Sequence, residues 1–279
     1  MVAATAEWSV FGGSCIGESH QRVGKTCEDS HGWLVGDNIV CLAVADGAGS
    51  RPAAAEGSEA AIRAVIEWAA EVDAGRAHFA DPLDCILAAK QRIAALALAS
   101  GRPADDFGTT LAVAYGFQDK LRLIQVGDAI GVVAMADGSL QRPVIPAGQA
   151  EYANETSFVT GLDWYRHTGL AVLTLAEVHA FALSTDGLKM KLLTEQGRLP
   201  FTPFFDDLFT FGRSEAASND AIVSFIAGVD DQTGDDKTLL VAIRHRPNAP
   251  HSMPKQIHTG PTDRSASGVA GPQTTGSGE

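Results

Sequence analysis

Apolar residues along this chain fall into short runs, and several of the runs stop on an acid followed by glycine. Residues 8–16 alternate loosely and predict a strand. Two further runs, 32–36 and 39–45, flank Asp37-Asn38 and predict a hairpin. Three strands in a meander follow over 110–115, 121–126 and 130–135, with turns at Gln118-Asp119 and Gly127-Asp128. Residues 170–175 and 178–184 predict another strand pair, and 237–244 a closing strand.

Between these runs the period changes to that of a helix. Residues 52–74 carry Ala60, Ile62, Val65, Ile66 and Trp68, with Ser50 placed to cap and Pro52 in the first turn. Residues 82–100 carry a second stripe, Leu83, Ile86, Leu87, Ile93, Leu96 and Ala97. Shorter helices are predicted over 188–196, 203–211 and 214–227. Residues 17–25 read as a polar loop and 101–106 as a break. Residues 142–169 hold no period and predict a long surface excursion whose stickiest part is Trp164 to His167. After His245 large apolar residues nearly vanish. The expected organisation is one domain over 1–245 and a disordered tail over 246–279.

Composition narrows the function. The 279 residues are 45% hydrophobic, enough for one large core or two small ones. A net charge of −13 argues against a nucleic-acid partner. No apolar run is long enough to span a bilayer, and no signal peptide is apparent, so no membrane association and a cytoplasmic location are expected. The four cysteines, Cys15, Cys27, Cys41 and Cys85, form no C-x-x-C pair. Cys41 reads as a small core residue, and Cys27 as either a filler or a reactive thiol beside Glu28.

The candidate chemistry lies where the strands end. Residues 40–45 are apolar and stop on Asp46-Gly47; taken alone, that pair reads as a hairpin turn. The same ending recurs at Asp186-Gly187. Glu28-Asp29 follows a glycine-containing loop, and Asp235-Asp236 precede the last strand. Carboxylates gathered from strand ends suit hard divalent cations such as magnesium or manganese. Asp128 ends a strand in the same way. His20, Arg22 and Lys25 precede Glu28 and read equally as phosphate contacts, as counter-charges to the acids, or as solvated side chains.

Strand runs alternating with helix runs indicate an α+β layered domain. Five segments in order, Cys27-Glu28-Asp29-Ser30, Ala45-Asp46-Gly47-Ala48-Gly49-Ser50, Phe107-Gly108-Thr109-Thr110, Ser184-Thr185-Asp186-Gly187-Leu188 and Gly234-Asp235-Asp236-Lys237-Thr238, resemble the metal-dependent serine/threonine protein phosphatases of type 2C in their compact bacterial form. The resemblance spans about residues 8 to 245. It implies a four-layer α-β-β-α sandwich of two antiparallel sheets flanked by helices, and a cleft holding two Mn(2+) or Mg(2+) ions. Asp46 would bridge the ions and hold the nucleophilic water, with the Gly47 carbonyl on one of them. Asp186 and Asp235 would bind the other. Glu28 would act through water and Asp29 from behind the site.

Three departures follow. Ala48 stands where many members carry a histidine, which leaves the leaving group without that acid. The arginine that often precedes the Glu-Asp pair is absent at its usual spacing, leaving His20, Arg22 or Lys25 as stand-ins. Met190 stands where a third metal would find an acid, so the third site at Asp128 is expected to be weak or absent. The leading expectation is a phosphatase for phosphoserine and phosphothreonine in a phosphoprotein substrate, with a cognate kinase as a further partner. The other is a catalytically weak module that binds a kinase or signalling protein.

Overall fold

Successive side chains of the central strands belong to two different cores, and this alternation stacks the layers. The structure is a computed structural model that describes residues 8–77, 81–145, 156–194, 198–230, 233–245 and 255–260. Its first half runs β1 (Trp8–Cys15), α1 (Glu18–Arg22), β2 (Ser30–Val35), β3 (Ile39–Ala45), α2 (Ala54–Asp73), α3 (Asp84–Ser100), β4 (Leu111–Phe117), β5 (Lys120–Val126), β6 (Ile130–Met135) and β7 (Leu140–Gln141). The second half runs β8 (Thr168–Thr174), β9 (Val178–Ser184), α4 (Lys189–Leu192), α5 (Thr202–Phe211), α6 (Asn219–Ala227), β10 (Lys237–Arg244) and β11 (Gln256–Gly260).

Two antiparallel sheets result, one ordered β1-β10-β9-β6-β7 and the other β11-β2-β3-β4-β5-β8. In β3, Cys41, Ala43 and Ala45 join Ile62, Ile66, Ile86 and Ile93 of α2 and α3 in one apolar cluster. The intervening Val40, Leu42 and Val44 face Phe181, Leu183, Leu240 and Ala242 of the other sheet. On that sheet's far side Phe11, Val132, Ala182 and Val241 pack on Phe205, Leu208, Ile222 and Ile226 of α5 and α6. The chain is therefore an α+β sandwich with helices outside both sheets. Because β3 is covered on both faces, its sequence reads as an unbroken apolar run rather than an alternation.

The expected meander and strand pair are both split between the sheets. β4 and β5 pair from Leu111↔Val126 onward, but β6 leaves to pair with β9. β8 pairs with β5, not with β9. The cause of the first crossing is local: Gly127 adopts φ +105, and the buried Gln125 side chain donates to the carbonyls of Gly127 (2.9 Å) and Ala129 (2.8 Å). These contacts bend the chain out of one layer into the next. Between β8 and β9 a short 3-10 turn, Leu175–Glu177, makes the second crossing.

Smaller corrections have equally local causes. The polar loop contains the single-turn helix α1, with Arg22 reaching back four residues to Glu18. Ser50 does not cap α2; the helix starts at Ala54 with no side-chain cap. Residues 101–106 run into a 3-10 turn, Ala104–Phe107. The helix expected over 188–196 is only Lys189–Leu192. In the 142–169 excursion Trp164 is buried in the α2–α3 core, while 146–155 lie outside the described residues.

Residues 256–260 are not disordered tail. β11 pairs along the outer edge of β2, Gln256↔Val35 to Gly260↔His31. Lys255 pairs with the buried Asp73, which also accepts the Asn38 N–H at 2.7 Å. The His258 ring stacks on Trp33 at 4.2 Å. An exposed Ile257 is the strand's one large apolar side chain, so no hydrophobic pattern announced it. The other tail residues, 246–254 and 261–279, lie outside the described residues. His258→Ala is expected to cost about 1 kcal/mol, from the lost ring contact. A lower urea midpoint at unchanged slope is the readout; an unchanged midpoint would mean the stacking contributes nothing. Among the described residues no helix is long and apolar enough to cross a membrane.

Candidate metal centre

Three acids from three distant turns meet at one end of the sandwich. Asp46 follows β3, Asp128 sits in the crossing between β5 and β6, and Asp186 is the second residue after β9. One carboxylate oxygen from each lies within 4.8 Å of the others.

The turns are held by their neighbours. Thr110 Oγ1 accepts the Asp46 N–H at 3.0 Å, and the Asp46 carbonyl accepts from Thr109 Oγ1 (2.9 Å) and Thr110 N–H (2.8 Å). The Phe-Gly-Thr-Thr segment thus clamps the main chain of Asp46. Gly47 donates its N–H to the Glu28 carbonyl at 3.2 Å. A Cβ on Gly47 would lie 2.7 Å from that carbonyl, so only glycine lets the two acid-bearing turns touch. Gly187 serves the same end: a Cβ there would lie 1.9 Å from the Asp236 carbonyl.

The cluster is electrostatically uneasy. Burial, then the charges of Asp29, Asp186, Asp235 and Asp128, hold the Asp46 carboxyl well above the usual carboxylate range. Asp186 is pushed up to about 7 by burial and by Asp128 and Asp235, against a smaller pull from Lys189. Asp235 is raised by burial and by Asp236 and Asp128, with the Asp236 N–H bond and His20 opposing. Its oxygens fall outside the tight trio, yet its charge bears on both Asp46 and Asp186. Glu28 Oε2 is buried without a hydrogen-bond partner; His20 Nε2 is 3.5 Å from it. Crowded carboxylates and an orphaned carboxylate oxygen form an oxygen-only donor set, which fits magnesium or manganese.

The remaining candidates divide. Asp29 is buried and points away from solvent, its Oδ2 accepting from Thr185 Oγ1 and Thr238 Oγ1, each at 2.7 Å. Burial and Asp236 raise its carboxyl, and those two hydrogen bonds oppose the rise. His20 stands between Glu28 and Asp236, with Nδ1 3.0 Å from Asp236 Oδ2. Arg22 is not drawn in: its side chain is 74% exposed and its guanidinium pairs with Glu18. Lys25 Nζ binds Glu28 Oε1 at 3.0 Å and the Gly49 carbonyl at 2.8 Å. The Cys27 thiol is pushed up by burial and by Asp29, so it is a filler rather than a nucleophile. Met190 is 63% exposed, and Asp128 groups with Asp46 and Asp186 instead.

Sequence reasoning gave no role to Asp236 or Gln125. Asp236 accepts the N–H groups of Gly17 (2.7 Å) and Glu28 (2.6 Å), which ties the Glu28 turn to the last strand. The doubled acid at 235–236 was the available signal; Gln125 had none.

A protein-family model described as Protein phosphatase 2C matches residues 16–227. The chain belongs to the protein phosphatase 2C family. The match ends before Asp235, whose place beside the cluster is therefore an observation of the fold. Solved structures agree on architecture. A bacterial serine phosphatase is 16% identical with a TM-score of 0.56, over 87% of this chain and 99% of that one. Stp1 from Staphylococcus aureus is 16% identical with a TM-score of 0.55, over 86% and 95%. PppA, described as a key regulatory component of T6SS in Pseudomonas aeruginosa, is 18% identical with a TM-score of 0.56, over 85% and 98%. At such identities the likeness establishes the protein phosphatase 2C fold and nothing finer. No curated protein sequence shows significant similarity to the chain.

Proposed function

We propose that this protein is a manganese- or magnesium-dependent phosphatase for phosphoserine and phosphothreonine in proteins. The observation that carries the proposal is the meeting of Asp46, Asp128 and Asp186 within 4.8 Å, with Asp235 bearing on two of them. In this reading Asp46 and the Gly47 carbonyl serve one ion, Asp186 and Asp235 a second, and Glu28 acts through water. Asp128 joins the cluster rather than founding a separate site. Bound divalent ions would supply the positive charge that acidifies water and offsets charge on phosphoryl oxygens.

The chain's own residues do the rest. Thr109 and Thr110 fix the direction of Asp46, and Gln125 holds the turn of Asp128. Lys25 supplies a cation against Glu28, and the His20 ring lies beside the same carboxylate. With Ala48 offering no proton, the leaving group takes its proton from solvent. The binding-module reading gains nothing here, because each acid of the cluster is retained. A phosphoprotein of a signalling system is the fitting partner: one structural neighbour is described with the bacterial stressosome, a modular system adapted to control secondary messenger signaling.

The test is hydrolysis of phosphoserine and phosphothreonine peptides, against nucleotides and sugar phosphates, with manganese and with EDTA. We expect peptide turnover with manganese and none with EDTA. Equal rates in the two conditions would overturn the metal assignment, and a preference for the small esters would overturn the substrate class.

A further inference from the structure

The two hydroxyls on Asp29 open a longer chain of hydrogen bonds with a fixed direction. A hydroxyl carries one proton. Thr185 Oγ1 accepts the Thr238 N–H at 3.1 Å and directs its own proton to Asp29. Thr238 Oγ1 also donates to Asp29, so its proton is committed. Ser14 Oγ, 2.6 Å from Thr238 Oγ1, must therefore be the donor in that bond. With the Ser14 proton committed, His31 Nδ1 at 2.7 Å must donate in turn. Ser14 and Thr238 belong to β1 and β10 of one sheet, and His31 belongs to β2 of the other. The chain thus leaves Asp29, enters the opposite sheet and returns.

The His31 end is walled in. Its ring lies nearly parallel to Trp33 (5.9 Å, 12°) and to His258 of β11 (5.5 Å, 12°). Burial and the neighbouring His258 lower the imidazole to about 4, so at neutral pH the ring carries a single N–H. The hydrogen bonds place that proton on Nδ1, although free imidazole side chains in water favour Nε2.

We propose that His31 is a positioning residue for the metal centre: its Nδ1–H tautomer, acting through Ser14 and Thr238, sets the orientation of Asp29 behind the acidic cluster. The tautomer follows from the hydrogen bonds with Asp29 Oδ2 accepting from both hydroxyls, whereas its effect on ion affinity rests on the reading given under Proposed function. Outer partners of this kind matter because they hold the ligating acids in place before the ion arrives.

Two measurements separate these parts. In metal-free protein carrying ¹⁵N-histidine, long-range ¹H–¹⁵N correlation should show His31 protonated at Nδ1 and bare at Nε2, with His31→Asn identifying the signal. A bare Nδ1 would overturn the proposal. Magnesium calorimetry then compares wild type with His31→Asn, which keeps an N–H donor near the Nδ1 position, and with His31→Leu and Ser14→Ala, which break the chain. We expect the breaking variants to bind about 10-fold to 100-fold more weakly and His31→Asn to stay within about threefold. Wild-type affinity in a folded Ser14→Ala protein would overturn the positioning role, and so would equal losses in His31→Asn and His31→Leu. A wild type that binds no divalent ion would sink the metal-centre reading and this role with it, while the tautomer result would stand.

Discussion

Asp46→Asn is expected to reduce the manganese-dependent rate on a phosphopeptide by about 10²–10³-fold and, at the same time, to stabilise the metal-free protein. The loss follows from position. Asp46 is the acid whose main chain is held on both sides by Thr109 and Thr110, and it lies in the tight trio. Asparagine keeps the shape and the hydrogen-bonding size but removes the charge. The gain in stability follows from the same charge. Without ions, the folded chain confines Asp46 among Asp29, Asp186, Asp235 and Asp128, and their repulsion adds to the cost of burial. Removing one member relieves that repulsion by about 1–2 kcal/mol. Steady-state kinetics at saturating manganese and a urea midpoint in EDTA at pH 7.5 read the two effects. A variant that is less stable than wild type in EDTA would contradict the crowding; one that keeps its rate would contradict the catalytic placement.

The metal-free protein should also lose stability as pH rises, the reverse of ordinary acid denaturation. A buried carboxyl raised in the folded state holds its proton where the unfolded chain has lost it. The folded form therefore binds more protons, and stability falls with increasing pH across that window. For Asp186 the window runs from its ordinary 3.8 up to about 7. Its contribution is whole below pH 4 and gone above about pH 7, on the order of 2–4 kcal/mol. Asp46, Asp29 and Asp235 are shifted in the same direction. A divalent ion in excess should cancel the loss, adding about 2.7 kcal/mol at a hundredfold excess over its dissociation constant. Urea denaturation at pH 5, 6, 7 and 8, with EDTA and with magnesium, measures this. Equal stability at pH 5 and pH 8 in EDTA would refute it.

What the sequence made legible was local. β3 shows itself as an apolar run closed by Asp46-Gly47, and α2 by its period, because each signal sits within a dozen residues. Asp46 and Asp186 were readable for the same reason: a strand end followed by glycine marks a tight, wet turn. Which strands pair was not readable. β8 and β9 adjoin in sequence but lie in different sheets, a choice made by a three-residue turn and by partners far along the chain. That Asp128 would join Asp46 and Asp186 was not readable, because it depends on the β5–β6 crossing, which the buried Gln125 secures through hydrogen bonds with no sequence pattern. The sequence left the role of Arg22 open because closeness to Glu28 says nothing of direction; the α1 helix turns it onto Glu18.

Asp46 belongs to one sheet, Asp186 to the other, and Asp128 to the step between them. Sliding one layer over the other by even a fraction of an ångström therefore changes the spacing of the three carboxylates. Packing between the layers, such as Leu42 and Val44 of β3 against Phe181 and Leu183 of β9, sets the alignment on which that spacing depends. A conservative change there, outside the acidic cluster, is expected to shift the spacing of the three carboxylates before it unfolds the protein.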